Sequence, residues 1–149
     1  MLPMARTLLG LAVLVFALGA LVAGCRTSDV DDANTESWTH ATNTMFGTYA
    51  VQWRTLDGAP IPNNEPFQLI ATVQRVADGS DVLDAQVVFQ GDMPGHGHGM
   101  LREPRSTELG DGLYRIDGVL LHMAGRWIVH IDVIEAGRAE RSTFTLDVD

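Results

Sequence analysis

The chain has 149 residues, with 19 acidic against 10 basic side chains, every basic one an arginine, for a formal charge of −9. That balance excludes a nucleic-acid binder, whose phosphate affinity rests on clustered Lys and Arg. A hydrophobic content of 46% excludes a disordered chain, and the single cysteine, Cys25, excludes an internal disulfide and any multi-thiolate zinc or iron–sulfur centre.

Residues 1–24 read as a leader. Arg6 precedes an apolar run from Leu8 to Ala23, shorter than the roughly 20 residues a membrane span needs. A charged start, a short apolar middle and a small-residue end are the plan of a secretory signal peptide. Leu21-Val22-Ala23-Gly24-Cys25 resembles the lipobox of bacterial lipoproteins. The resemblance implies cleavage before Cys25, a diacylglyceryl thioether on its sulfur and, usually, an N-acyl chain. Two or more acyl chains anchor a protein stably where one is marginal. An ordinary signal peptide followed by a free thiol, or an uncleaved anchor, are the alternatives. Loss of the leader takes Arg6 with it, so the remaining charge is 9 − 19 = −10. Residues 25–44 then form the lipidated cysteine and a polar tether, with Asp29, Asp31, Asp32 and Glu36 and no apolar period. Trp38 and His40 sit in it without an evident partner.

Residues 45–149 read as strands and turns. Thr48–Trp53 alternates and runs toward the turn Asp57-Gly58; Phe67, Leu69, Ala71 and Val73 share one face. Asp78-Gly79 turns the chain into Ala85–Phe89, and Gly110-Asp111-Gly112 precedes Leu113–Ile116. Trp127, Val129, Ile131 and Val133 line one face of the clearest strand, with His130 on the other. Ala136-Gly137 leads into Phe144, Leu146 and Val148, expected to point inward. No helical period follows Cys25. About seven short strands spaced by turns predict an all-β, immunoglobulin-like antiparallel sandwich, with a small barrel as the alternative. Trp53 and Trp127 read as core aromatics, and the scattered acids as solvated faces.

The segment Gly91-Asp92-Met93-Pro94-Gly95-His96-Gly97-His98-Gly99-Met100 stands apart. If it is extended, His96, His98 and Met100 share a side, and the glycines let Met93 curl round to join them. A second pair, His122-Met123, lies just before the Trp127 strand. These two segments hold three of the four methionines after the leader and three of the five histidines. Thioether sulfur favours Cu(I), and imidazole serves either copper state or zinc; zinc alone leaves the methionines unexplained. Met93, His96, His98, Met100, His122 and Met123 are thus the candidate donors, three or four engaged at once. The bland alternatives are a mobile glycine loop with solvated imidazoles, and methionines that fill core gaps. Met45 reads as core or surface.

These residues resemble the YtkA-like family from about Gly47-Thr48-Tyr49 to the end of the chain. The resemblance rests on Met93 to Met100, then Gly112-Leu113-Tyr114, then Met123-Ala124-Gly125-Arg126-Trp127. Leu101 and Ala124 stand where the family tends to have proline, a departure in loop rigidity rather than donor atoms. The resemblance implies a small extracytoplasmic immunoglobulin-like domain linked to copper handling and respiratory-oxidase biogenesis. A cupin is the competing reading, because His96, His98, Glu103 and Gly110 resemble its first metal motif. Gln90 stands where that motif needs glycine, and its second motif is absent around His122.

The expected function is therefore a non-enzymatic, membrane-anchored copper carrier or buffer that serves a respiratory oxidase or another copper-handling protein. A metal-free interaction module of an envelope or efflux assembly is the alternative, with the His/Gly/Met loop and the Trp127 strand as its docking surface. No catalytic nucleophile or phosphate loop is legible.

Overall fold

The computed structural model describes residues 37–149; the leader, Cys25 and most of the tether lie outside the described residues. The strands are β1 (His40–Asn43), β2 (Tyr49–Thr55), β3 (Phe67–Arg75), β4 (Gln86–Met93), β5 (His98–Gly99), β6 (Arg105–Gly110), β7 (Leu113–Val119), β8 (Gly125–Glu135) and β9 (Arg138–Val148). They form two antiparallel sheets, ordered β1-β2-β3-β7-β6 and β5-β4-β8-β9, so the chain is a sandwich and not a closed barrel. Helix is absent among the described residues.

The six strands read from apolar alternation are all present, as β2, β3, β4, β7, β8 and β9. The three without that signal, β1, β5 and β6, are edge strands. These three bury little of either face and so carry no apolar period, whereas β9, the fourth edge strand, alternates because one of its faces lies on the core. β1 occupies part of the stretch read as tether: His40–Asn43 pairs with Ala50–Trp53, and His40 stacks on Trp53 with ring centres 4.0 Å apart.

The core lies between the sheets. Trp127, Val129, Ile131 and Val133 of β8 are fully buried, and Phe144, Leu146 and Val148 of β9 point inward as expected. Trp53 from the opposite sheet meets Phe144 and Phe89 edge-on, at 5.8 Å and 6.3 Å between centroids, the arrangement that aromatic quadrupoles favour. Met45 is surface, 69% exposed.

One acid departs from the expected solvated face. Glu140 of β9 is buried at 2% exposure, where its carboxylate accepts the Thr44 hydroxyl at 2.7 Å and the Thr48 hydroxyl at 2.6 Å. It thereby fastens the β1–β2 turn to the edge of the second sheet. Burial alone raises a carboxyl pKa, but here the Thr48 and Thr44 hydroxyls, with the Thr48 backbone N–H and the Arg138 charge, together outweigh it and hold Glu140 below its ordinary value. A depressed folded pKa contributes stability above the unfolded value, and that contribution is lost as pH falls through the folded one. Glu140→Gln is expected to cost about 1–2 kcal/mol at pH 7. Urea midpoints followed from pH 7 to pH 3 should fall less steeply in the variant. Some slope remains, because the Arg75 and Tyr49 side chains also depress Glu135. Identical slopes would dismiss the clamp.

Candidate metal centre

β4 ends at Met93, and the chain reverses over Pro94–Gly97 before β5 returns along it. Asp92 then faces Gly99, and Met93 faces His98. The N–H groups of His96 and Gly97 both donate to the Met93 carbonyl at 3.0 Å and close the turn. Gly97 takes φ of +70°, a left-handed conformation that costs glycine little. The segment is therefore a tight hairpin, and the alternation expected for His96, His98 and Met100 breaks at His96. That residue rides on the turn, exposed.

His98 and Met100 keep the inward side. Directly paired residues share a face, so His98 stands on the side of buried Met93. The Met100 N–H donates to the Gly91 carbonyl at 2.9 Å, and the Met100 side chain folds over Gly91. A Cβ at Gly91 would lie 3.0 Å from the Met100 sulfur and 3.5 Å from a Leu121 methyl. The missing side chain at position 91 is what admits the thioether.

The second pair arrives on the loop between β7 and β8. Leu121 is buried; His122 and Met123 are half-buried. The Trp127 indole N–H donates to the Met123 carbonyl at 2.9 Å, which fixes the loop to the start of β8. The His122 and His98 rings then stand edge-on to Trp127, at 5.5 Å and 6.2 Å between centroids. The two imidazoles are 5.0 Å apart, tilted by 33°, and His96 lies 5.8 Å from His98. His98 Nδ1 is 3.3 Å from the Gly99 carbonyl oxygen. His122 Nδ1 is sealed from solvent and makes no hydrogen bond among the described residues.

The His98–His122 ring spacing is of the size that two imidazoles sharing one ion would show. Imidazole nitrogens about 2 Å from a shared ion put the ring centres on the order of 5 Å apart. Of the six candidate donors, His98 and His122 converge at one end of the sandwich. Met93 lies in the core at 2% exposure, and Met100 and Met123 pack partly buried against it. The sequence predicts Trp127 as a core aromatic. It is that, and it also forms the wall behind both imidazoles.

The remaining histidines are occupied elsewhere. His130, on the outer face of β8, contacts the Thr143 hydroxyl at 3.0 Å and Asp92 at 3.7 Å. Burial, aided by the Arg141 charge, lowers its pKa against the opposing pull of Asp92 and Asp132. Glu103, the carboxylate of the cupin reading, is exposed beyond the hairpin. No group of three or more His, Cys, Asp or Glu side chains gathers to hold a metal among the described residues, so neither His96, His98 and Glu103 nor His96, His98 and His122 forms a three-ligand set.

The YtkA-like family description matches residues 55–132. That span exceeds half of the chain and contains the hairpin, the β7–β8 loop and Trp127. The chain belongs to the YtkA-like family. Among solved structures, this YtkA-like chain is similar to a copper-bound variant of FetP from uropathogenic Escherichia coli strain F11. The two are 6% identical with a TM-score of 0.49, over 73% of this chain and 93% of that one. A DUF4785 family protein from Legionella pneumophila is 14% identical with a TM-score of 0.44, over 70% of this chain and 29% of that one. No curated protein matches the chain.

Proposed function

We propose that this YtkA-like protein is a lipid-anchored, extracytoplasmic copper-binding domain without catalytic activity. It takes up Cu(I) through His98, His122 and Met100, with His96, Met93 and Met123 around them. It buffers the metal or hands it to a respiratory oxidase or another copper-handling protein. The observation that carries this reading is the buried, unpartnered Nδ1 of His122 beside the His98 ring. An unsatisfied buried polar atom costs about 1–3 kcal/mol, and a bond to a metal supplies the missing partner. Structural zinc asks for four N, S or O ligands. Here two imidazoles meet in a neighbourhood rich in thioethers, the soft donors that select Cu(I). A thiol-free set also suits an oxidising compartment, and the lipobox-like Cys25 would hold the domain at a membrane there.

The test is an anaerobic titration of the chain from Arg26 onward, with Cu(I) and Zn(II) each set against a competing chelator. One tight Cu(I) site is expected, with Zn(II) at least about a hundredfold weaker, or about 2.8 kcal/mol. Zinc binding as tight as Cu(I), or copper uptake without a fixed stoichiometry, would sink the reading.

A further inference from the structure

β4 pairs with β8 from Gln86 to Asp92 on one side, while on the other side β5 covers only Asp92 and Met93. Among the described residues, no strand pairs with Gln86–Gly91 on that second side. Two of its carbonyls point away from β8: that of Val87 accepts the Ser106 hydroxyl at 2.6 Å, and that of Gly91 accepts the Met100 N–H. The two-residue strand period sends the N–H and C=O of Phe89, midway between them, the same way. Neither group has a backbone partner on that side among the described residues. In front of them lies a groove of about 720 Å³ between β4 and the segment Arg102–Ser106.

The far wall of this groove carries two arginines, Arg102 and Arg105, both exposed. Arg75, Arg115, Arg126, Arg138 and Arg141 each face a carboxylate within 4 Å. Arg102 and Arg105 make no ion pair among the described residues. Glu103, between them, is the one carboxylate on that wall, and Asp92 at the groove's end is turned toward His130.

We propose that this groove receives an extended acidic segment of a partner protein. The segment adds to β4 as a strand, exchanges main-chain hydrogen bonds with Phe89, and sets carboxylates on Arg102 and Arg105. Strand addition draws affinity from the backbone and selectivity from the side chains. On a chain of net charge −9, two unneutralised guanidiniums are where an acidic segment meets attraction. The repulsion from the rest of the surface is screened beyond about 8 Å at physiological salt. A second copy of this chain fits poorly, because β4-to-β4 pairing would crowd four guanidiniums into one seam. The inference does not depend on the metal reading.

The probe is an end-capped eight-residue peptide of alternating valine and glutamate, compared with its valine–lysine counterpart and an alternately N-methylated glutamate form. Binding is followed by amide NMR on the chain from Arg26 onward. The glutamate peptide should shift the Val87, Phe89 and Gly91 amides and bind at least about tenfold more weakly to the Arg102→Glu, Arg105→Glu double variant. The lysine and N-methylated peptides should not bind. No binding, equal binding of both charge forms, shifts centred away from β4, or dimerisation of the chain through β4 would each overturn the proposal. The double variant should keep wild-type Cu(I) uptake, so failure here leaves the metal reading standing.

Discussion

Replacing His98 and His122 together with alanine is expected to weaken Cu(I) binding by about a hundredfold or more, or at least about 2.8 kcal/mol. Even an outer partner of a metal ligand is worth about 10–100-fold in affinity, so two lost donors set a lower bound. His96→Ala should cost less than about fivefold, because His96 rides exposed on the Pro94–Gly97 turn while His98 and His122 face each other at 5.0 Å. Met100→Leu separates ligation from packing. Leucine keeps most of the volume over Gly91, and such swaps cost less than about 1.5 kcal/mol of stability. It removes the sulfur, so Cu(I) affinity should fall while the urea midpoint holds. Chelator competition with each variant, after its fold is confirmed by circular dichroism, decides the matter. If His96→Ala proves as costly as His98→Ala, the ion sits on the turn and not against Trp127.

The elements that bury a full face were legible from residue order alone. Trp127, Val129, Ile131 and Val133 alternate because one face of β8 lies on the core, and the matching face of β9 follows from Phe144, Leu146 and Val148. β1 and β6 were not legible, since neither buries a full face, whereas the edge strand β9 does and alternates. The candidate site was half legible. Residue chemistry singled out both segments, and strand alternation placed His98 and Met100 on one side. It misplaced His96, because alternation presumes an extended chain and Gly97 at positive φ turns it back on β4. The approach of His122 to His98 is a long-range consequence of sheet order, which brings the β7–β8 loop over the hairpin. Glu140 was hidden for a related reason: its partners Thr44 and Thr48 lie more than 90 residues away along the chain.

Trp127 links the two halves of the structure, and its substitutions should show it. The side chain is fully buried, so Trp127→Ala is expected to cost about 3–5 kcal/mol, a large fraction of the 5–15 kcal/mol that holds a typical domain. Trp127→Phe is the more informative change. Phenylalanine retains an aromatic wall under His98 and His122 but loses the N–H that donates to the Met123 carbonyl at 2.9 Å. That carbonyl, part-buried, then loses its indole donor, at a cost of about 0.5–1.5 kcal/mol. The bond also ties the loop bearing His122 to β8, so its loss should lower Cu(I) affinity several-fold although the indole nitrogen is not a proposed ligand. Urea unfolding and chelator competition on the same preparation give both quantities. A Trp127→Phe protein that is destabilised yet binds Cu(I) like the wild type would confine Trp127 to the core. A fall in both would mean that the bond tying the β7–β8 loop to β8 also sets the distance between the two imidazoles.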